Sequence, residues 1–143
     1  MTPLSNSFTL EALTFSETAI RKGLSNDPSP EQVANLTELA QALERVQSLL
    51  GPIVIHSAFR SPKVNAAVGG STTSAHMEGY AADIVCPSYG SPLQVCQAIA
   101  GSEIPYDQII FEYESWCHLS IDPRMRKMVL SKRTGTPYET GLA

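Results

Sequence analysis

The most informative stretch of the chain is Gly69–Asp83, which reads GGSTTSAHMEGYAAD. Its small residues form a predicted loop that presents one imidazole, His76, and then one carboxylate, Asp83, at the start of a predicted strand. Imidazole nitrogen and carboxylate oxygen are ordinary Zn²⁺ ligands, and a catalytic zinc needs three protein ligands with the fourth position left for water. The stretch therefore predicts two ligands of a catalytic metal site. The alternative interpretation is a surface histidine and an aspartate that caps a turn.

The third ligand is expected at His118. Of the three histidines it alone lies in an apolar strand, with Trp116 and Cys117 beside it, and His56 is the remaining candidate. Gly79 favours the metal site, because glycine permits a positive φ or a close backbone approach in the loop. Two nitrogen ligands and one carboxylate suit zinc better than the oxygen-rich ligand spheres of Mg²⁺ or Ca²⁺, so we expect one Zn²⁺ per chain.

Length and composition limit the classes of protein to which the chain can belong. It has 143 residues, so we expect one domain over residues 1–143. Hydrophobic residues make up 43% and charged residues 17%, which is enough apolar material for a core. The net charge of −4 lacks the basic excess that binding to a phosphate backbone needs. Nucleic acid is therefore not expected as a partner.

The sequence predicts neither membrane insertion nor a disulfide framework. Residues 1–7 lack the basic start and apolar stretch of a secretory signal, and no run approaches the roughly 18 apolar residues of a membrane span. We therefore expect a protein that is cytoplasmic at synthesis. The three cysteines cannot all pair within one chain and none forms a CxxC motif, so we expect them to be reduced and mostly buried.

The order of predicted elements indicates the fold class. Capping signals and apolar periodicity predict helices at Phe8–Gly23 (one or two), Ser29–Gly51, Lys63–Val68 and Ser91–Gly101. Apolar or β-favouring runs predict a buried strand at Ile53–Phe59 and further strands at Ala81–Cys86, Asp107–Tyr113, Trp116–Ile121 and, at an edge, Met125–Leu130. The polar segment Ser131–Ala143 is expected to be a loosely held tail. The class is therefore α+β, with a small, mainly antiparallel sheet flanked by helices.

Three motifs resemble those of one peptidase family. Ser74–Asp83 matches the signature SxHxxGxAxD, and Ser57–Pro62 resembles the segment S-x-(Y/F)-R-S-P. Asp107–Glu112, followed by Trp116–Ser120, resembles a closing hairpin of the same family. The chain thus resembles the zinc D-Ala-D-Ala carboxypeptidase family, in its phage-type peptidoglycan peptidase branch, over nearly its whole length.

The resemblance implies a hedgehog/D-Ala-D-Ala peptidase fold and a single zinc held by His76, Asp83 and His118. Members of the family cut amide bonds next to D-amino acids in peptidoglycan stem peptides, as carboxypeptidases or endopeptidases. Arg60 corresponds to the family's substrate arginine, whose planar fork suits a carboxylate or a scissile carbonyl, although a surface arginine is the alternative. Ser74 resembles a serine that contacts substrate, and a hydrogen bond that orients the loop is the alternative.

The general base is expected at Glu112, with Glu114 as the alternative. Many relatives place an acidic residue three positions before the last histidine ligand, but that position here is Ser115. With a three-residue hairpin connection, Glu112 pairs with Trp116 and lies on the metal's face, because alternate residues of a strand share a face. A two-residue turn would point Glu112 away. Trp116 itself is expected in the core rather than as a substrate platform.

Two rival interpretations accompany that of a zinc metallopeptidase acting on peptidoglycan. The first is a cell-wall-binding or phage structural module that retains the fold and has lost turnover, since the acid is missing at its usual position. The second is a purely structural metal, but such sites are usually closed spheres of four ligands, and no fourth ligand is evident. The absence of a secretory signal is compatible with a phage lysis protein released through a membrane lesion, as with a virion-carried enzyme or a prophage product.

Overall fold

A computed structural model describes all 143 residues of the chain. The α-helices are α1 (Leu10–Thr14), α2 (Glu17–Lys22), α3 (Pro30–Leu50), α4 (Pro62–Ala67) and α5 (Pro92–Ala100), and a 3₁₀ helix spans Ala75–Glu78. The strands are β1 (Val54–Ser57), β2 (Ala81–Val85), β3 (Gln108–Glu112), β4 (Trp116–Ser120), β5 (Met128–Lys132) and β6 (Glu139–Thr140). None of the helices combines the length and the apolarity that crossing a bilayer requires.

The six strands form one sheet in the order β1-β2-β4-β3-β5-β6. Every neighbouring pair is antiparallel except β3 and β5, which run parallel. This arrangement confirms the predicted α+β class with a mainly antiparallel sheet.

Local capping residues define where the helices begin and end. The Ser29 hydroxyl accepts a hydrogen bond from the backbone N–H of Gln32, whose side chain accepts one from the backbone N–H of Ser29. Ser91 and Gln94 repeat this capping box at α5, and each box is followed by a proline in the first turn. Gly23 ends α2 in the left-handed conformation, with φ of +64°. These helix ends agree with the sequence predictions, because they depend on neighbours within four residues.

The core lies between one face of the sheet and the helices α3 and α5. It contains Leu36, Leu39, Leu43 and Val46 from α3, Val95, Cys96 and Ile99 from α5, and Ala82, Ile84, Ile109, Phe111, Cys117 and Leu119 from the sheet. All three cysteines are buried and unpaired, as predicted. Because side chains alternate along a strand, the residues between these core positions face away from α3 and α5. That second face carries the candidate site.

The strand predicted over Ile53–Phe59 is shorter and less buried than expected. It spans Val54–Ser57 and forms the edge of the sheet, where Val54 is 49% exposed. The prediction of a buried strand was wrong because an apolar run does not reveal whether a strand has one neighbour or two.

Residues 131–143 are tied to the sheet, contrary to the expectation of a loosely held tail. The predicted edge strand Met125–Leu130 is shifted, since β5 runs from Met128 to Lys132, and β6 pairs with it. Ser131 is buried, and its hydroxyl donates to the backbone oxygen of Gly141 at 2.6 Å. The backbone N–H of Gly141 in turn donates to the oxygen of Val129. These polar contacts hold a segment whose composition alone indicates a tail.

Candidate metal centre

The site lies in a cleft of about 690 Å³ on the face of the sheet opposite the core. Asp83 on β2 and His118 on β4 are direct cross-strand partners, so both side chains project from the same face. His76 reaches the same point from the 3₁₀ helix that precedes β2. All three residues are buried, with 2%, 1% and 6% of the surface of His76, Asp83 and His118 exposed.

The loop that carries His76 is anchored at both ends. Gly79 ends the 3₁₀ helix with φ of +85°, and a Cβ at this position would lie 2.9 Å from the backbone oxygen of Gln32 on α3. Gly79 therefore has both features predicted for it, a positive φ and a close approach to another backbone. At the other end, the Ser74 hydroxyl accepts a hydrogen bond from the backbone N–H of His76 at 3.2 Å. This contact matches the orienting role considered for Ser74, while its contact with substrate remains a prediction.

One carboxylate oxygen joins the two imidazoles. Asp83 Oδ1 lies 3.2 Å from His76 Nε2 and 3.0 Å from His118 Nδ1, and the two rings are 5.0 Å apart at their centroids. The three ligand atoms all lie within 4.8 Å of one another. The structure thus brings together the three predicted ligands. It leaves out the spare candidate, His56, which is exposed on β1.

The donor set fits zinc. Ligand atoms 2.0–2.2 Å from a tetrahedral ion lie about 3.3–3.5 Å apart, which is close to both distances from Asp83 Oδ1. His76 Nδ1 is 2.6 Å from the backbone oxygen of Ala58, and because a carbonyl can only accept, Nδ1 carries the proton. Nε2 is therefore the ring nitrogen that faces the cluster, and it can bind a metal when it is deprotonated. No fourth His, Cys, Asp or Glu joins the group, which is the pattern of a catalytic rather than a structural zinc site.

The electrostatics of the cluster keep the carboxylate ionised. Burial alone would raise the pKa of Asp83, but the charges and hydrogen bonds of His76 and His118 outweigh it and hold that pKa well below its usual range. Burial likewise would lower the pKa of His118, but the hydrogen bond and charge of Asp83 raise it above its ordinary value. The carboxylate is thus present in the anionic form that metal binding requires.

Arg60 holds the outer oxygen of the same carboxylate. Its Nη2 is 3.2 Å from Asp83 Oδ2, its Nε donates to the Ser57 hydroxyl at 3.0 Å, and its Nη1 donates to Asn65 Oδ1 at 3.4 Å. Only 15% of its side chain is exposed, so the alternative of a surface arginine is wrong. A guanidinium has five N–H donors, and these contacts use three of them. Two of its N–H donors therefore remain unused by these contacts.

The hairpin between β3 and β4 settles which acidic residue faces the cleft. Glu112 pairs with Trp116 and Ile110 pairs with His118, which confirms the three-residue connection. Tyr113 and Glu114 within it adopt left-handed conformations. Glu112 lines the cleft, whereas Glu114 points to the surface, where its side chain is 65% exposed and pairs with Arg133 at 3.0 Å. Geometry thus favours Glu112 over Glu114, and its role as a base remains a prediction.

The motifs and the cleft agree with one sequence comparison. The family model described as Peptidase M15 matches residues 6–120 of the chain. The chain belongs to the peptidase M15 family. No curated protein matches it. M15 peptidases are zinc enzymes, so the chain is a zinc metallopeptidase whose family implies peptidoglycan as the substrate, and the cluster of His76, Asp83 and His118 is where the metal would bind.

One wall of the cleft lies beyond the part of the chain that matches the M15 model. Its members come from the loop before β5, from β5 itself and from the residues before β6: Arg124, Arg126, Leu130, Lys132 and Tyr138. None of these residues was predicted from the sequence to belong to the site. Asp107 is buried at the base of this wall and accepts three hydrogen bonds from Arg126, from its backbone N–H, its Nε and its Nη2. No sequence signal could reveal this contact, because its partners are 19 residues apart and the β3–β4 hairpin lies between them.

Proposed function

We propose that this M15 peptidase hydrolyses amide bonds next to D-amino acids in peptidoglycan stem peptides, as a carboxypeptidase or an endopeptidase. One observation carries the proposal: Glu112 and Arg60 line the same cleft as His76 and His118, which form a cluster with the buried Asp83. A metal site, a carboxylate and a guanidinium around one cleft are the groups that amide hydrolysis requires.

A metal held by His76, Asp83 and His118 would keep a coordination position for water or substrate, because no fourth His, Cys, Asp or Glu joins the cluster. A Zn²⁺ ion bound there would act as a Lewis acid towards the scissile carbonyl and would lower the pKa of a water molecule. Asp83 supplies the negative charge of the ligand set, and Arg60 keeps its second oxygen from turning inward. Ala58 fixes the ring of His76 through the hydrogen bond to Nδ1.

Glu112 is the proposed proton carrier. It takes a proton from the attacking water and returns it to the nitrogen of the leaving amine when the tetrahedral intermediate collapses. One of its oxygens, Oε1, already accepts a hydrogen bond from Trp116 Nε1 at 2.8 Å. The proton transfers are therefore assigned to Oε2.

Arg60 is the proposed substrate clamp. Its two remaining N–H groups, one on Nη1 and one on Nη2, can hold the oxygen of the scissile carbonyl as negative charge develops on it, or a carboxylate of the substrate. The contacts to Ser57, Asn65 and Asp83 fix the guanidinium before substrate arrives. A donor fixed in advance stabilises the transition state without the cost of reorganisation.

A binding module without turnover is the second candidate function. It is favoured by one observation, that the position three residues before His118 is Ser115, whose hydroxyl donates to the backbone oxygen of Tyr113 at the exposed hairpin tip. We further propose that the protein acts on the bacterial cell wall, as a phage lysis protein does, because its closing segment resembles the phage-type branch.

Defined muropeptides test the proposed function. Purified protein loaded with zinc is incubated with muropeptides of known stem length and cross-link, and the fragments are identified by mass spectrometry with and without a chelator. We expect chelator-sensitive release either of a terminal D-amino acid or of the two halves of a cross-link, which also distinguishes a carboxypeptidase from an endopeptidase. Intact substrates at full zinc occupancy, together with binding to purified cell walls, would establish the binding module instead.

A further inference from the structure

Trp116 contacts the proposed base directly. Its indole N–H donates to Glu112 Oε1 at 2.8 Å, a good distance for a hydrogen bond between these groups. The two residues are direct cross-strand partners at the end of the β3–β4 hairpin, so the backbone pairing holds them side by side. An indole N–H can only donate and a carboxylate can only accept, so the contact has one possible polarity.

The indole also contacts two other aromatic rings. Tyr113 lies edge-on to it with centroids 5.5 Å apart, and His56 lies edge-on with centroids 6.2 Å apart. Edge-to-face pairs at such distances are favourable arrangements of aromatic rings. This contact also places His56, which is outside the ligand cluster, in the surroundings of Glu112.

Neither role considered for Trp116 from the sequence explains this geometry. Trp116 is half-buried, lines the cleft and is absent from the hydrophobic core, where its strand neighbours Cys117 and Leu119 lie. Core packing would not require an N–H directed at a carboxylate in the cleft. A stacking platform would act through the face of the ring and would leave the N–H without a specific role.

We propose that Trp116 is a positioning residue for Glu112. Its N–H fixes Oε1 and so directs Oε2 towards the metal cluster, where the proton is exchanged. A glutamate side chain has three rotatable bonds, and without a fixed partner it would spend much of its time outside the reactive geometry. A base that is displaced by about 1 Å can lose about 10²-fold in rate. This inference rests on the proposed function of Glu112 as the proton carrier.

Kinetics of Trp116→Phe test the positioning role. Phenylalanine keeps an aromatic ring beside Tyr113 and His56 and removes the N–H. We expect kcat on a muropeptide to fall about 10-fold or more while KM changes by less than about twofold. In a Glu112→Gln background the same substitution should have almost no further effect on kcat, because no base remains to be positioned. A raised KM with unchanged kcat would identify Trp116 as a substrate platform. Additive losses of kcat in the double variant would show that Trp116 and Glu112 act independently. Either result would overturn the inference.

A second measurement needs no activity. Trp116 is the only tryptophan of the chain, so one indole signal in a ¹H–¹⁵N spectrum of the zinc-loaded protein reports the contact. We expect Glu112→Gln to shift that signal and to speed its hydrogen exchange, since the charged acceptor is replaced by the weaker, neutral oxygen of an amide. Glu114→Gln, on the same hairpin, is the matched control and should leave the signal in place. An indole signal that is unchanged in Glu112→Gln would overturn the inference, whether or not the wild type hydrolyses muropeptides. Inactive wild-type protein would instead refute the proposed function.

Discussion

Asp83 and His118 face each other directly across β2 and β4, and Asp83 Oδ1 lies 3.0 Å from His118 Nδ1. Because antiparallel pairing sets the distance between opposite side chains, these two ligands are positioned by the sheet itself. His76 comes from a 3₁₀ helix outside the sheet and depends on the anchors of its loop. The site therefore combines a rigid pair with one ligand that local changes in the loop can displace.

Removal of any one ligand should abolish zinc binding. Each of the variants His76→Ala, Asp83→Ala and His118→Ala is expected to lose stoichiometric zinc and all hydrolysis, because two remaining ligands cannot hold the ion tightly. Metal content after dialysis, measured by mass spectrometry, checks this. His56→Ala is the matched control for metal content, since this exposed histidine lies outside the cluster. A variant with full zinc content would remove its residue from the ligand set.

Gly79→Ala should disturb both stability and zinc affinity. A side chain at a φ of +85° is strained by about 1–3 kcal/mol, and its Cβ would also approach the backbone oxygen of Gln32 to 2.9 Å. The loop must then shift and carry His76 with it. Gly23→Ala is the control, because Gly23 has a similar φ of +64° but no atom within 4 Å of its Cβ position. Urea unfolding and competition with a zinc chelator should show a larger loss at Gly79 in both measurements. Equal losses would mean that the loop does not depend on this close approach.

The features that the sequence predicted correctly are governed by short-range rules. Given the preferred three-residue hairpin connection, alternation along a strand placed His118 and Glu112 on one face and Cys117 on the other. The capping boxes at Ser29 and Ser91 involve residues three positions apart. Predictions of this kind need no knowledge of the tertiary structure.

The features that it missed depend on contacts between distant segments. The strand β5 lies beside β3 and parallel to it, which the order of elements along the chain does not reveal. The bond from Arg60 to Asp83 spans 23 residues, and the bond from Arg126 to Asp107 spans 19. Ser131 was predicted to lie in a polar tail, because its hydroxyl donates to the backbone oxygen of Gly141 only in the folded chain, where β6 pairs with β5. Such pairings follow from the fold and leave no periodic signal.

If Arg60 is the proposed substrate clamp, Arg60→Ala should lower kcat/KM by about 10²-fold or more, because a fixed positive charge next to the developing oxyanion is then lost. Zinc should remain bound at stoichiometric concentrations, but with weaker affinity, since Arg60 also holds Asp83 Oδ2. Arg60→Lys should recover little, because an ammonium cannot reproduce three directed contacts and two free donors. Steady-state kinetics of the two Arg60 variants check these expectations. The control is Arg45→Ala, because Arg45 lies on the exposed face of α3. Wild-type kinetics in Arg60→Ala would show that this residue does not act on the substrate.

The pair of Asp107 and Arg126 should make stability depend on pH. Hydrogen bonds from Arg126 hold the pKa of Asp107 below its usual value, so the pair stabilises the fold above the unfolded pKa of about 3.9, and this contribution is lost as the pH falls towards the folded value. Asp107→Asn should therefore lower Tm by about 5 °C or more at pH 7, with the difference shrinking below about pH 4. Asp122→Asn, which breaks the more exposed pair with Arg124, should have a smaller effect at every pH. A difference for Asp107→Asn that does not vary between pH 7 and pH 3 would contradict this assignment.

The proposed base provides the sharpest separation between an enzyme and a binding module. Glu112→Gln keeps the size of the side chain and an oxygen that can accept the Trp116 hydrogen bond, so fold and zinc content should be unchanged. Hydrolysis of a muropeptide should nevertheless fall by at least about 10²-fold, the usual contribution of a positioned acid–base group. Glu114→Gln should be nearly silent, because that carboxylate lies at the hairpin tip and pairs with Arg133 away from the cleft. Rates and zinc content of both variants, measured beside the wild type, check the assignment.

An inactive Glu114→Gln beside an active Glu112→Gln would transfer the role to Glu114. Equal activity in all three proteins would mean that neither carboxylate carries the proton.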